Sequence, residues 1–227
     1  MVLVFAHPDD ESVYTGATVA KYVKAGWQVD LICAVRVDGV RQKELTNAAT
    51  LLGISSLTFL GYVHGELAQE PPGELEDKIY LKLEELVPDC VITFDTTGID
   101  NDPDHTKICY ATTFAFQKYA FWIQEQRKGS GAPKLYYACV PQTVVTYLKK
   151  KKVFPQESFR RPFVGTPDKF ISAVISTAGF ERTKKKALLI HKKQVDNTLL
   201  KHEYFIWRLH GTREIFMGNN DRVSSKL

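Results

Sequence analysis

The hydrophobic pattern alternates between two periods along the first half of the chain. Val2–Ala6 is an unbroken apolar run that ends in a polar cluster, as a parallel strand buried on both faces requires. Val13, Ala17 and Ala20 then recur at helical spacing, and Gly26 stands where a helix C-cap belongs. Val29–Val35 predicts a second strand. Leu45, Ala48, Ala49 and Leu52 fall at i, i+3, i+4 and i+7 and predict a second helix, stopped by Gly53. Leu57–Leu60 predicts a third strand, and Leu75, Ile79, Leu83 and Leu86 a third helix halted near Pro88. Cys90–Phe94 predicts a fourth strand. Repeated strand-then-helix units with short joints imply an α/β fold: a mostly parallel sheet, right-handed crossovers and helices on both faces.

The second half is less regular. Arg127–Pro133 predicts a loop, Lys134–Cys139 a strand and Phe170–Ile175 a further strand. Glu181 to Leu209 reads as mostly helical, with Leu188, Val195 and Leu199 on one side. No internal repeat, linker or low-complexity segment interrupts the pattern. At roughly 150 residues per domain, the 227-residue chain reads as one domain, 1–227.

Composition narrows the class. Apolar residues make up 44% and charged residues 25%, which excludes a disordered chain, a collagen-like fibre and a disulfide-rich miniprotein. The formal net charge of +4 neither demands nor excludes an anionic partner. Lys149–Lys152 and Lys184–Lys186 read as solvated faces, without the interleaved aromatics of a nucleic-acid groove, so no nucleic-acid partner is expected. Tyr136, Tyr137, Phe163 and Trp207 read as core or interface. Cys33, Cys90 and Cys139 sit in strands and Cys109 in a helix, and no two are spaced as CxxC, so all four read as reduced, buried thiols. No apolar run approaches the ~18 residues of a membrane span. Val2–Ala6 is too short for a signal-peptide core and has no basic residues before it. The expectation is a soluble, cytoplasmic protein.

The chemistry concentrates in two short segments. His7-Pro8-Asp9-Asp10-Glu11 directly follows the first strand, and open parallel sheets bind ligands beyond the carboxyl ends of their strands. Asn101-Asp102-Pro103-Asp104-His105 follows the fourth strand and leads into a helix. If these strands are neighbours, His105 returns to His7 and Asp10. Two histidines and a carboxylate with an open position are what a catalytic zinc needs, and imidazole favours zinc over magnesium or calcium. With Asp10 on the metal, Asp9 is free to take a proton from the bound water. Asp10 also suits a helix N-cap, a compatible role. Arg41, a cation near a helix start, opposes the helix dipole, which favours a functional role. Glu44 reads as a surface or pairing residue. His202 and His210 read as helix surface.

The run Ala6-His7-Pro8-Asp9-Asp10-Glu11 resembles the AHPDDE signature of the PIG-L/LmbE-like zinc-dependent N-acetylglucosaminyl deacetylases. Arg41-Gln42-Lys43-Glu44-Leu45 with Ala48-Ala49 and Leu52-Gly53 is similar to that family's second helix. Leu60-Gly61-Tyr62 resembles the next strand end, and Lys186-Ala187-Leu188 with His191-Lys192-Lys193-Gln194 a late helix. The resemblance implies a Rossmann-like fold, one Zn2+ per chain and removal of acetyl from an N-acetylglucosamine-type sugar or conjugate. It implies His7, Asp10 and His105 as metal ligands, Asp9 as general base and Arg41 as a sugar contact. Asp104 matches the aspartate before the third ligand, and His191 a late histidine of the active-site region. Homo-oligomers are common in the family.

Two departures stand out. Asp102 occupies the place of a histidine thought to stabilise the oxyanion or protonate the leaving amine; an anion there opposes an oxyanion unless it is protonated or points away. Losing one oxyanion donor typically costs ~3–4 kcal/mol in the transition state. His64 stands where many members carry a substrate-binding aspartate. Asp102 motivates a second reading, a degenerate member that binds metal or glycan without catalysis, and a third is an amidohydrolase of a different amide. Specificity is expected in the irregular Tyr119–Phe170 region.

Overall fold

A computed structural model describes residues 1–37, 39–127, 131–193, 196–208 and 227. The apolar runs become strands and the amphipathic stretches between them become helices. In order these are β1 (Val2–Phe5), α1 (Asp10–Lys24), β2 (Asp30–Val35), α2 (Gly39–Leu52), β3 (Ser56–Tyr62), α3 (Glu74–Leu86), β4 (Cys90–Phe94), α4 (Gly98–Asn101), α5 (Pro103–Gln126) and β5 (Lys134–Cys139). The second half adds α6 (Gln142–Lys150), a small hairpin of β6 (Glu157–Ser158) and β7 (Arg161–Pro162), then β8 (Ala173–Ser176), α7 (Glu181–Ile190) and β9 (His202–Arg208).

The main sheet has seven strands in the order β3-β2-β1-β4-β5-β9-β8. The stretch from β3 to β5 is parallel throughout. β9 runs antiparallel to β5, and β8 antiparallel to β9. Helices α1, α2 and α7 pack together on one face, and α3 and α5 on the other. β1, β2 and β4 are buried along their whole length, which is why they read as continuous apolar runs. Fully burying side chains such as Leu3, Ile32 and Phe94 contributes about 1.5–3 kcal/mol each. β1 pairs with β2 on one side (Val2 with Asp30) and with β4 on the other (Val2 with Val91). The chain thus reverses its direction of travel across the sheet between β1 and β4. That switch point opens a crevice at the carboxyl ends of the two strands that carry the predicted ligands.

The segment Glu181 to Leu209 is not one helix. α7 ends at Ile190, Lys192 takes a left-handed φ of 56°, and the chain returns as β9. Tyr204, Phe205, Ile206 and Trp207 are strand formers, and burial alternates over the first part of β9: Glu203 and Phe205 are buried, His202 is exposed, and Tyr204 and Ile206 are half-buried. His202 is therefore an exposed strand residue; Val195, Leu209 and His210 lie outside the described residues. Of the predicted strand Phe170–Ile175, only the end is strand, because Asp168–Phe170 forms a 3-10 turn. The four cysteines are buried and none is in a disulfide. No described helix is long and apolar enough to cross a membrane.

Lys184 also departs from the reading of its charge run as a solvated face. It is buried, with Nζ 2.7 Å from Glu203 Oε1. The Glu203 carboxylate also accepts from the backbone N–H groups of Ala17 (3.0 Å) and Thr18 (2.7 Å) inside α1. One ion pair therefore joins α7, β9 and α1. Lys184→Met strands a buried carboxylate and is expected to cost about 3–5 kcal/mol in urea denaturation. Adding Glu203→Gln, which removes the stranded charge, is expected to recover part of that loss.

Candidate metal centre

Two strand ends build the centre. Beyond β1 the chain turns sharply, with Asp9 at φ 114° in the position before α1. Such a conformation costs on the order of 1–3 kcal/mol and needs support. Glu11 Oε2 accepts the Asp9 N–H at 3.1 Å, and Asp10 Oδ2 accepts the His7 N–H at 2.7 Å. Asp10 is thus the first residue of α1, not its N-cap, which is Asp9.

Beyond β4, Asp95 organises the loop. Its Oδ1 accepts from the N–H groups of Thr97 and Ile99 and from the Thr97 hydroxyl, while Oδ2 accepts from the Thr166 hydroxyl. Gly98 has φ +66°, and a Cβ there would lie 2.9 Å from His105 Cβ and 3.0 Å from the Thr106 nitrogen. Glycine is required for the loop to lie against the start of α5. Asp102 caps α5 by accepting from the Asp104 N–H at 2.8 Å, and Pro103 takes the first helical position. His105 then sits in the first turn, stacked on Phe94 at 4.0 Å and 8°.

The sheet order brings these ends together. His7 Nδ1 and His105 Nε2 are 3.1 Å apart. Asp10 Oδ1 is 3.5 Å from His105 Nε2, and Asp10 Oδ2 is 3.9 Å from His7 Nδ1. The far ring nitrogens are both committed to acceptors. His7 Nε2 meets Asp104 Oδ2 at 3.1 Å, and His105 Nδ1 meets the Gly98 carbonyl at 3.0 Å, with Asp100 Oδ1 at 3.3 Å. Asp104 is itself fixed by the N–H groups of Gly65 and Ala68, each at 3.0 Å. Protons on the far nitrogens leave two lone pairs facing each other beside a carboxylate. Imidazoles oriented by such outer acceptors are the usual arrangement around a bound metal, so the residues fit a divalent ion. Asp102 belongs to the cluster as well: His7, Asp102 and His105 each offer an atom within 4.8 Å of the others.

The electrostatics agree. Burial alone would lower the His105 pKa, but Asp10, Asp100 and Asp102 outweigh it and raise it to about 9. Burial raises the Asp10 carboxyl to about 6, opposed by His105 and reinforced by Asp9. Burial would also raise Asp104, but the His7 ring and the two backbone N–H groups hold it below the ordinary carboxylate value. Without a metal, the buried cluster recruits a proton as its positive charge.

The remaining predicted residues surround this centre. Asp9 Oδ2 lies 3.0 Å from the Lys193 ammonium. Arg41, exposed in the first turn of α2, reaches the Pro8 carbonyl at 3.5 Å. His191 is buried but does not touch the imidazoles; its Nε2 lies 2.9 Å from Glu11 Oε1. Gln194 and Val195 lie outside the described residues. Glu44 pairs with Lys192 at 3.0 Å, in its predicted role. His64 is exposed, with its ring 4.6 Å from that of His7. Sequence reasoning missed the supporting roles of Glu11, Asp95, Gly98, Asp100 and Lys193. Glu11 was signalled only by its place at the end of the motif, and Lys193 by nothing local.

Residues 2–116 match the family model PIG-L, GlcNAc-PI de-N-acetylase. The chain is 27% identical over 242 residues to the 1D-myo-inositol 2-acetamido-2-deoxy-alpha-D-glucopyranoside deacetylase of Mycolicibacterium vanbaalenii, covering 86% of this chain and 80% of that protein. Among solved structures it resembles the N,N'-diacetylchitobiose deacetylase of Pyrococcus horikoshii, with a TM-score of 0.62 and 16% identity, covering 91% of this chain and 82% of the other. It equally resembles the 4-carboxy-2-hydroxymuconate hydratase GalB of Pseudomonas putida, with a TM-score of 0.63 and 13% identity, covering 94% and 97%. At such identities the structural likeness shows the fold alone, a Rossmann-like sheet flanked by helices.

The raised pKa values set a pH dependence for the metal-free protein. His105 moves up from 6.5 to about 9 and Asp10 from 3.8 to about 6. Each stabilises the native state below its unfolded pKa and loses that contribution as pH rises through its folded pKa. A metal held at this site would replace the protons and remove the loss. The difference in Tm between metal-loaded and chelator-treated protein is therefore expected to widen from pH 6 to pH 9. A difference that stays constant or narrows would count against a shared proton and metal site.

Proposed function

The chain belongs to the PIG-L de-N-acetylase family, and from that premise we propose that it hydrolyses the acetamide of an N-acetylglucosamine-type sugar or conjugate. A divalent metal, zinc in the first instance and one per chain, would be held by His7, Asp10 and His105. The observation that carries this reading is the convergence of the two imidazoles, each held at its far nitrogen, beside a buried carboxylate.

When bound, the ion acidifies a water and polarises the acetyl carbonyl. The rest of the chemistry falls to side chains. Asp9 projects from the strained turn next to the ligands and serves as the base that takes the proton of the attacking water. The same carboxyl then returns a proton to the leaving amine, since His191 Nε2 is occupied by Glu11. His191 acts instead as a positioning residue: it holds Glu11, and Glu11 holds the Asp9 backbone. Asp104 orients His7. Arg41, on the rim of the same turn, supplies guanidinium donors for sugar hydroxyls. The four buried cysteines, none in a disulfide, support a reducing, cytoplasmic setting.

Acetate release from N-acetylated sugars, glycolipid precursors and glycopeptides tests the reading. Asp9→Asn is expected to keep metal near one ion per chain while turnover falls by roughly 10²–10⁴. His7→Ala is expected to lose both metal and turnover. Unchanged acetate release by Asp9→Asn would sink the base assignment. A metal-loaded wild type that releases no acetate from any of these substrates would overturn the acetamide reading.

A further inference from the structure

We propose that Asp102 is a fourth protein ligand, so that this chain builds a two-histidine, two-aspartate metal centre. The proposal rests on the reading above that the site holds a divalent ion. Asp102 and Asp10 divide their carboxylates in the same way. Asp10 gives Oδ2 to the His7 N–H and turns Oδ1 to His105 Nε2 at 3.5 Å. Asp102 gives Oδ1 to the Asp104 N–H and turns Oδ2 to the same nitrogen at 4.0 Å.

The rest of Asp102 is pinned. Its N–H meets Asp100 Oδ1 at 3.3 Å, and its carbonyl accepts from the Thr106 N–H and hydroxyl, each at 3.0 Å. Capping α5 uses one oxygen, and serine or asparagine would serve as well. The second oxygen adds negative charge to a pocket already holding Asp10 and Asp100, a costly choice unless a cation sits among them. Ligands about 2.0–2.2 Å from one ion lie roughly 3–4.4 Å apart. The spacings of 3.1 Å between the two imidazoles, and of 3.5 and 4.0 Å from His105 Nε2 to Asp10 Oδ1 and Asp102 Oδ2, all fall in that range.

The fourth ligand changes the chemistry of the site. Four protein ligands would fill a tetrahedral ion, so a reactive water would need an ion that accepts five or six ligands. Two carboxylates neutralise a divalent charge, and oxygen donors shift preference from zinc towards Mn2+ and Fe2+. Asp102 thus exchanges a donor for the oxyanion against a tighter, harder metal site.

Asp102→Asn separates the two roles, because asparagine keeps the cap and loses the anionic ligand; Asp102→Ser serves as an independent variant. Affinities for Zn2+, Co2+ and Mn2+ are read by chelator competition, with the visible spectrum of the Co2+-loaded protein as a second readout. Both variants are expected to bind metal at least ~10-fold more weakly, Mn2+ suffering more than Zn2+. The Co2+ bands are expected to strengthen as coordination number falls, while the Tm of the chelator-treated protein stays near that of wild type. Unchanged affinities and spectrum in both variants would overturn the fourth ligand and leave the deacetylase reading standing. A wild type that binds none of the three ions would overturn both.

Discussion

The far nitrogens of His7 and His105 are both spent, one on Asp104 and one on the Gly98 carbonyl. Their near nitrogens face each other at 3.1 Å with lone pairs that repel unless a cation stands between them. Much of the polar structure at this end of the sheet serves that arrangement. The loop after β3 gives the Gly65 and Ala68 N–H groups that anchor Asp104, and Asp104 turns His7. The loop after β4, gathered by Asp95, carries the Gly98 carbonyl that turns His105. Three strand ends therefore set two ring orientations, and the switch point between β1 and β4 supplies the crevice.

The second half of the chain supports the other side of the centre. Glu203 binds two backbone N–H groups of α1 and the buried Lys184, so β9 and α7 are locked to the helix that begins at Asp10. His191, at the end of α7, holds Glu11, which supports the strained Asp9 backbone; Lys193, two residues later, pairs with the Asp9 carboxylate. The irregular region is thus bound into the geometry of Asp9, although it supplies neither His7 nor His105.

This division explains what was legible in the sequence. β1, β2 and β4 announce themselves because buried parallel strands are apolar runs bounded by turn residues. His7, Asp10 and His105 could be paired because strand ends converge at a switch point. β9 was hidden because Leu188 and Leu199 extend a helical spacing past the true end of α7, and because its pairing with β5 joins residues far apart in sequence. Lys184 sits in a run of lysines, and nothing local separates the buried one from its neighbours; its partner lies 19 residues away. Asp102 was visible as an unusual residue, but whether its oxygen turns in or out depends on the cap of α5 and on the loop that precedes it. Single-residue chemistry is read from the chain; orientation is read from contacts that the chain does not order.

The likeness to both a deacetylase and a hydratase shows how little the fold decides alone. A doubly wound sheet fixes where a ligand sits and which strand ends face it. The reaction depends on the charge gathered there. In this chain Asp9, Asp10, Asp100, Asp102 and Asp104 crowd the ends of β1 and β4, while the nearby cations Arg41 and Lys193 stand towards α2 and α7. Such a field admits a divalent ion and a neutral amide beside it, and it repels a carboxylate or phosphate at the same spot. On the proposed reading, an anionic part of the substrate is drawn towards Arg41, since Lys193 is already paired with Asp9. On that reading the arrangement separates the group that would react from the groups that would be recognised.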